Sequence, residues 1–548
     1  MSVDESSLVR SSGVMAAGTI VSRITGLVRD MALVAAIGLA VLGDAYQVAN
    51  SLPNIVYILL VGGALNSVFI PQLIRHTSGD PDRGTAYAQR LLTLVALVLL
   101  AVTALAVLLA PLIIDLYATG EWAPRTFEVA VAFARFCLPQ ILFYGLFTMF
   151  QQVLNARGVF GPPMFAPIVN NLVVIATCGL FIVVTADTDP LTAATITDGE
   201  VALLGLGTTL GITAQALCLV PALRRAGFRW RPRFDFRGGG LGKAGDLARW
   251  TFAYVLINQI GYAVIVNLAT ESGAQAQAAG LTYGAGIATY SKAYLIFLLP
   301  HAVITVSVVT ALFPQLSREA AAGRLDELRH SLAEGLRLIG VAIVPAAILF
   351  LALGAWIGVM LFGLGAAGVD SGRYVGLTLQ AFALGLVPFC LFYALNRAFY
   401  ALEDTRTPAL INVAVNVVNV GAGYALFVTV PLRWKIPSLA VAYGLSYLAG
   451  TLISAVILRR RLGSLEAGKI VRSYLKLTAA AAVGGLAAWA VAVGATTLFG
   501  EANLGAAVAV LAGLLAGGGC YLALAVALRV PELSTAIDTV RRRLRPRR

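Results

Sequence analysis

Pro139-Gln-Ile-Leu-Phe-Tyr-Gly-Leu146 returns as Pro388-Phe-Cys-Leu-Phe-Tyr-Ala-Leu395, 249 residues later, each copy inside a long apolar stretch. Two more matches keep nearly the same spacing. Pro71-Gln-Leu73 answers to Pro314-Gln-Leu316, and Pro162 and Asn170 answer to Pro408 and Asn416, so the offsets run from 243 to 249 residues. The matches report one duplication of a six-helix unit. Six is even, so both copies have the same orientation and are related by a pseudo-two-fold axis along the membrane normal.

A membrane is required by the composition. Of 548 residues, 59% are hydrophobic and 12% charged, with a mean hydropathy of +0.84, which excludes a water-soluble protein. A helical crossing uses ~20 apolar residues, so fourteen crossings take roughly 300. Apolar stretches near 14–39, 45–74, 90–115, 128–154, 163–184, 201–223, 248–270, 281–313, 332–362, 374–401, 408–430, 437–458, 473–498 and 503–528 give fourteen helices. Helices one to six and seven to twelve are the two copies. Thirteen and fourteen fall outside the repeat. The predicted fold is an all-α polytopic membrane protein of about fourteen helices, with two pseudo-symmetric six-helix lobes and two C-terminal helices. Its predicted parts are an N-terminal lobe (1–226), a basic linker (227–247), a C-terminal lobe (248–459), helices thirteen and fourteen (460–528) and a basic tail (529–548).

The formal charge of +13 would suggest a nucleic-acid partner in a soluble chain, but its placement follows the positive-inside rule, and no nucleic acid is expected. Alternate loops carry Arg75 and Arg83, Arg157, the run from Arg224 to Arg249, Arg318 with Arg324 and Arg329, Arg406, Arg459 to Arg461, and the arginines from Arg541 onward. The intervening loops are cation-poor apart from Arg125, Arg373, Arg433 and Lys435. Both termini are expected in the cytoplasm, with anionic lipids meeting the basic loops and tail. Asp4, Glu5 and the charges of helix one argue against a cleavable signal. Cys137, Cys178, Cys218, Cys390 and Cys520 sit in apolar segments without metal or redox spacing.

The informative charges lie inside the spans. Helix one carries Ser22, Arg23, Arg29 and Asp30. A cation at mid-membrane costs ~2.5 to 3.5 kcal/mol on insertion scales. Arg23 and Asp30, seven apart, share a helix face, and Arg29 lies about 100 degrees round from Asp30. One acid cannot neutralise two arginines, so a cationic surplus remains. Asp44 opens helix two, followed by Asn50 and Asn54. This set reads either as an ion-paired structural cluster or as an anion site, for which the planar guanidinium is suited. Lys292 is the charge deep in helix eight, near Ser291, His301 and Thr305, and could serve a cavity or reach an interface. His301 reads as a packing residue ahead of a proton relay. Asn412, Asn416 and Asn419 on helix eleven, and Tyr254, Asn258, Tyr262 and Asn267 on helix seven, read as polar stripes bonding between helices.

Gly238-Gly-Gly-Leu-Gly-Lys-Ala244 lacks the ends of a phosphate-binding loop and reads as a flexible basic loop, and Gly205-Leu-Gly207 has no dinucleotide context. No catalytic arrangement, metal site or cofactor is recognised. Two parallel lobes are the plan of alternating-access transporters.

Ser22-Arg23-x-x-Gly26-x-x-Arg29-Asp30 with Asp44-Ala-Tyr46 and Leu52-Pro53-Asn54 resembles the N-terminal signature of the MurJ (MviN) lipid II flippases, in the multidrug/oligosaccharidyl-lipid/polysaccharide exporter superfamily. Leu154-Asn-Ala-Arg-Gly158, Ala166-Pro-Ile-Val-Asn-Asn171, Arg397-Ala-Phe-Tyr400 and Asp404-Thr-Arg-Thr-Pro408 extend the resemblance along the chain. It implies translocation of undecaprenyl-pyrophosphate-linked GlcNAc-MurNAc-pentapeptide from the inner to the outer leaflet for peptidoglycan assembly. It also implies a pyrophosphate site at Arg23 and Arg29, a functional role for Asp44, and a groove for the polyprenyl tail on helices thirteen and fourteen. Three departures stand out. Many relatives have an arginine just after Leu-Pro-Asn, where this chain reads Ile55-Val-Tyr57. A family arginine in helix eight has only Lys292 as a nearby counterpart. Acids used for sodium by some relatives on helices seven and eleven are replaced by Asn258, Asn267, Asn412 and Asn416, so sodium coupling is not expected, a weak polar coupling site at Asn258, Asn412 and Asn416 stays open, and membrane potential remains as an energy source. The expected substrate cluster is Arg23, Arg29 and Lys292, balanced by Ser22, Asp30, Asp44, Asn50 and Asn54. The expected protein is a monomer in the bacterial cytoplasmic membrane, with lipid II as substrate and cell-wall synthesis proteins as candidate partners. The alternatives are an exporter of another polyprenyl-linked glycan or of drugs, and a non-transporting cell-wall scaffold.

Overall fold

The computed structural model describes residues 5–59, 84–118, 122–188, 190–235, 245–281, 283–530 and 532–533. Within them every regular element is helical. Helix one is Glu5–Ile37, helix two Val41–Tyr57, helix three Thr85–Leu108 continued by Ala110–Tyr117, and helix four Pro124–Cys137 followed by Gln140–Ala156. Helix five is Gly161–Val184, helix six Asp198–Leu217 with the short Val220–Arg225, and helix seven Gly245–Ala278. Helix eight is Ile287–Pro300 continued by Val306–Ala321, nine is Leu325–Phe362, ten Gly368–Ala401, eleven Arg406–Thr429 and twelve Lys435–Leu462. Thirteen is Ala467–Phe499 and fourteen Asn503–Ala527.

Twelve described helices are long and apolar enough to cross a membrane, and they coincide with helices three to fourteen. Helix one differs because Arg23, Arg29 and Asp30 dilute its apolar run, and helix two is described only to its first seventeen residues and the turn beyond. The Pro71-Gln-Leu73 copy, the Gly238–Ala244 loop and the arginines of the tail lie outside the described residues.

Two compact units, Met1–Ala274 and Gln275–Arg548, make up the chain, and the division falls inside helix seven. In the first unit helix one packs on five, five on six, two and six on four, and three on four. The second repeats most of this pattern: eleven on twelve, eight and twelve on ten, nine on ten. Pairwise packing therefore follows the duplication that the sequence repeats announce. Backbone detail repeats as well. Leu52-Pro53 and Leu299-Pro300 are 247 residues apart, and each is followed by a turn that widens to π geometry, at 58–59 and at His301–Thr305. Pro300 abuts its widened turn and lacks the amide that closes an α turn, so the backbone after it finds a wider pairing, whereas after Pro53 the helix first continues as α, with the Ile58 amide donating to Asn54 O. The pair Pro139 and Pro388 resolves differently: helix four breaks at Leu138 and Pro139, whereas helix ten runs through Pro388.

Small residues bring the helices together. Between nine and ten, a Cβ on Gly358 would stand 2.1 Å from the Gly372 carbonyl oxygen. Between thirteen and fourteen, one on Gly484 would stand 2.7 Å from the Gly517 carbonyl. Such spacing is how helices associate in lipid, where no hydrophobic effect drives them together. Helices thirteen and fourteen pack on each other and on nine, and their outer faces present Leu486, Trp489, Leu498, Leu504, Leu511 and Leu515.

Basic loops share an end within each unit. In the first, Arg157 donates to the Ala226 carbonyl at 2.9 Å and to Thr85 Oγ1 at 2.8 Å, joining the start of helix three to the ends of four and six. In the second, Arg461 pairs with Asp404 at 2.6 Å, His330 with Glu466 at 3.1 Å and Arg337 with Glu532 at 3.2 Å.

Candidate functional site

Helix one lies along helix five, and this contact assembles the polar cluster of the first unit. Arg29 Nη2 stands 3.0 Å from Asp30 Oδ2, and Arg29 Nη1 donates to Asn171 Oδ1 at 3.3 Å. The Asn171 carboxamide donates in turn to the Ser22 carbonyl at 3.1 Å and to Thr25 Oγ1 at 2.9 Å. One amide thus ties the Arg29 guanidinium to the backbone of helix one about two turns earlier. The Arg29 side chain remains 33% exposed, against 11% for Asp30. The guanidinium is oriented by two acceptors while part of its donor edge stays open.

Asp30 neutralises Arg29, the neighbour about 100 degrees round the helix, rather than Arg23 on its own face. Arg23 is exposed, beside Ile20 and Ile24 at 58% each, and no ion pair joins it to a described residue. The surplus charge of helix one therefore sits on Arg23.

The other expected residues separate. Asp44 is wholly buried in the first turn of helix two, where the N-terminal end of the helix dipole favours a carboxylate. Asn50 is half-buried and accepts from Gln140 Nε2 at 3.4 Å; Gln140, only 1% exposed, also donates to Thr209 Oγ1 at 3.2 Å. That chain links helices two, four and six. Asn54 is exposed.

Lys292 belongs to the second unit and is 5% exposed, so it does not extend to an interface. Nearby on helix eight, His301 packs against Phe389 and Tyr393 with ring centroids 4.5 and 4.9 Å away, and its Nδ1 lies 3.5 Å from Cys390 Sγ. Tyr294, Phe297, Phe382 and Tyr443 continue this aromatic packing between helices eight, ten and twelve. Two of the asparagines on these polar stripes bond within their own helices. Asn258 donates to Tyr254 O and Asn416 to Asn412 O, both at 2.9 Å. Asn258 and the Asn412–Asn416 pair lie in different units, so neither unit holds the set as one site. Asn267 does bond across helices, donating to the Ala118 carbonyl at 3.2 Å. Among the described residues no three His, Cys, Asp or Glu side chains gather as metal ligands.

Two residues of this architecture escape a reading by charge, and a third, charged, stands outside the expected cluster. Asn171 and Gln140 are neutral, yet each is buried at a helix crossing, and the Asn170-Asn171 doublet in an apolar span is the visible signal. Arg397, inside helix ten, donates to Tyr393 Oη at 2.5 Å and lies over that ring at 4.6 Å and over Tyr400 at 5.7 Å, an aromatic seat for a cation.

Comparison with known proteins places this architecture. A probable lipid II flippase MurJ of Haemophilus influenzae is 26% identical over 491 residues, 86% of this chain and 90% of the relative. One from Synechocystis is 28% identical over 494 residues, 88% and 87% of the two chains. The lipid II flippase MurJ of Burkholderia cenocepacia is 26% identical over 479 residues, 86% and 88% of the two. Among solved structures, a lipid II flippase MurJ in an inward closed conformation aligns with a TM-score of 0.69 at 19% identity, over 94% of this chain and 99% of that one. An inward-facing MATE family multidrug resistance transporter of the MOP superfamily aligns with a TM-score of 0.62 at 16% identity, over 81% and 96%. These two likenesses show a shared fold. The family model described as lipid II flippase MurJ matches residues 33–510, and this chain belongs to that family.

Proposed function

We propose that this chain is a lipid II flippase, moving undecaprenyl-pyrophosphate-linked GlcNAc-MurNAc-pentapeptide from the inner to the outer leaflet of the bacterial cytoplasmic membrane by alternating access of its two lobes. Sugars, peptide and pyrophosphate cannot cross hydrocarbon unaided, because each polar group would lose its hydrogen bonds to water. Family membership supports the substrate. The observation that carries the mechanism is the Arg29 guanidinium, aimed by Asp30 and Asn171 and still partly open, with Arg23 exposed two turns away.

In this reading Arg23 and Arg29 hold the pyrophosphate, Lys292 adds charge from the second lobe, and the prenyl tail stays in lipid along helices thirteen and fourteen. The linker at 227–247 joins the lobes, and both termini are cytoplasmic. The protein acts as a multi-pass monomer without a catalytic step, and its cell-wall partners meet it at its basic loops. Membrane potential, negative inside, favours outward movement of an anion by about 2.3 kcal/mol per charge per 100 mV, so no bound ion is required for drive.

The test is the double variant Arg23→Ala/Arg29→Ala in a cell depleted of its own flippase. The expected result is arrested growth with lipid II held in the inner leaflet. Normal growth with lipid II still reaching the outer leaflet would overturn the reading.

A further inference from the structure

The start of the basic linker is docked on the first unit. Gln89 Nε2 donates to the Arg229 carbonyl at 2.7 Å, and Thr93 Oγ1 accepts from the Arg233 amide at 3.0 Å and from Trp230 Nε1 at 3.3 Å. Arg90 pairs with Asp235 at 2.6 Å. Phe228 is buried at 1% under the Arg157 guanidinium, 5.3 Å from the ring centroid, and Trp230 meets Phe150 edge-on at 6.3 Å. Helices three and four therefore fix the path of residues 228–235.

This docking borders an open cavity of about 600 Å³ whose lining includes Phe150, Phe228 and Trp230 together with Arg224, Arg229 and Arg231. All three arginines are exposed. The acid within 224–235 is Asp235, and the Arg90 hydrogen bond holds its carboxyl below the usual range. Its charge is thus committed to helix three, leaving the cavity arginines uncompensated from within their own segment. An anion with several oxygens satisfies guanidinium donors that line one cavity.

The apolar surroundings narrow the class of anion. Trp230 is 37% exposed and Phe234 67% exposed, at the end of the unit where helices three, four and six terminate or begin. Aromatic rings beside arginines at the mouth of a helical bundle match the headgroup level of a bilayer, where rings meet glycerol and acyl carbons and guanidinium groups meet phosphate. A freely dissolved phosphate would leave these rings uncovered.

We infer that Arg224, Arg229 and Arg231, with Phe150, Phe228 and Trp230, form a binding site for the headgroup of an anionic phospholipid, separate from the helix-one cluster.

The test uses the full chain in neutral phosphatidylcholine nanodiscs doped with photoactivatable phosphatidylglycerol. Crosslinks are expected within residues 224–234 of the unaltered chain, competed by unlabelled phosphatidylglycerol and not by millimolar inorganic phosphate. The triple variant Arg224→Gln/Arg229→Gln/Arg231→Gln is expected to lower apparent affinity on the order of 100-fold. Arg459→Gln/Arg460→Gln, which removes charge from a basic loop of the other unit, is expected to leave crosslinking within residues 224–234 unchanged. The inference is overturned by crosslinks confined to other segments, by displacement with inorganic phosphate, or by equal losses in both variants. Because the crosslink map is made on the unaltered chain, it decides the question even where a variant fails to fold.

Discussion

Arg29 on helix one and Asn171 on helix five, 142 residues apart, share a hydrogen bond of 3.3 Å between Nη1 and Oδ1. The carboxamide spends its oxygen on the guanidinium and its amide hydrogens on helix one itself, at Ser22 O and Thr25 Oγ1. It is therefore both brace and acceptor, and no charged residue could fill both roles.

Replacing that amide separates the roles. Asn171→Ala removes the brace at a cost of about 1 to 3 kcal/mol and is expected to reduce, without abolishing, lipid II translocation. Asn171→Asp puts a second carboxylate beside Arg29, cancels its residual attraction for phosphate, and is expected to abolish translocation. Outer-leaflet lipid II, assayed in depleted cells at matched protein levels, distinguishes the two; equal activity in both variants would contradict the arrangement.

Asp30→Asn leaves Arg29 with neutral acceptors only. The guanidinium is one-third exposed, so solvent screens the pair and the expected loss is about 1 kcal/mol, read as a lower unfolding midpoint in detergent. Arg29→Lys, which keeps the charge but loses the planar fork, is expected to keep stability better than it keeps transport.

A glycine decides how closely helix five meets helix six. A Cβ on Gly211 would come 2.4 Å from Asn170 Oδ1 and 3.2 Å from the Asn170 carbonyl oxygen. Gly211→Ala must turn the buried Asn170 carboxamide aside and press on the backbone of the helix that carries Asn171, and is expected to cost about 1 to 3 kcal/mol. Gly179→Ala on helix five, with nothing within 4 Å of the added carbon, is the matched control and is expected to be neutral or slightly stabilising. Thermal unfolding of the pair checks this.

Asp404 gives a pH dependence. Burial pushes its carboxyl up, but hydrogen bonds from the Thr407 side chain and amide and from Arg461 outweigh it and hold the group below its ordinary value. A lowered folded pKa adds stability above the unfolded carboxylate range, and that stability is lost as pH falls through the folded value. Asp404→Ala is therefore expected to destabilise by about 1 kcal/mol at neutral pH. The gap to the unaltered chain should close on acidification; a gap independent of pH would refute the pairing.

Docking of the linker predicts protease resistance. Thr93→Val removes the acceptor shared by Trp230 and Arg233 and is expected to speed tryptic cleavage at Arg229 and Arg233 several-fold, set by local opening. Unchanged cleavage would place these bonds outside what anchors the segment.

The spans were legible because hydropathy over ~20 residues needs no tertiary information, and the duplication because prolines leave marks that outlast drift. The ion-pair partner in helix one was not legible. Facial geometry favours Arg23 for Asp30, but an arginine side chain is long enough to bend back to its neighbour, and Asn171, which fixes Arg29 in that pose, comes from another helix. The burial of Lys292 was equally hidden, since an apolar helix has no polar face to show which side looks inward. The ordered path of 228–235 depends on Gln89, Arg90 and Thr93, more than a hundred residues upstream, and has no period of its own.

The π turn at His301–Thr305 has a consequence for reading helix eight. Each widened turn admits about one extra residue, which rotates everything beyond it by roughly 100 degrees relative to an unbroken α-helix. Lys292, before the turn, and Ser307, after it, therefore cannot be drawn on one helical wheel. The helix keeps two angular registers, one for each end, and a one-residue deletion in the turn would bring them into phase while turning one end's side chains away from their neighbours.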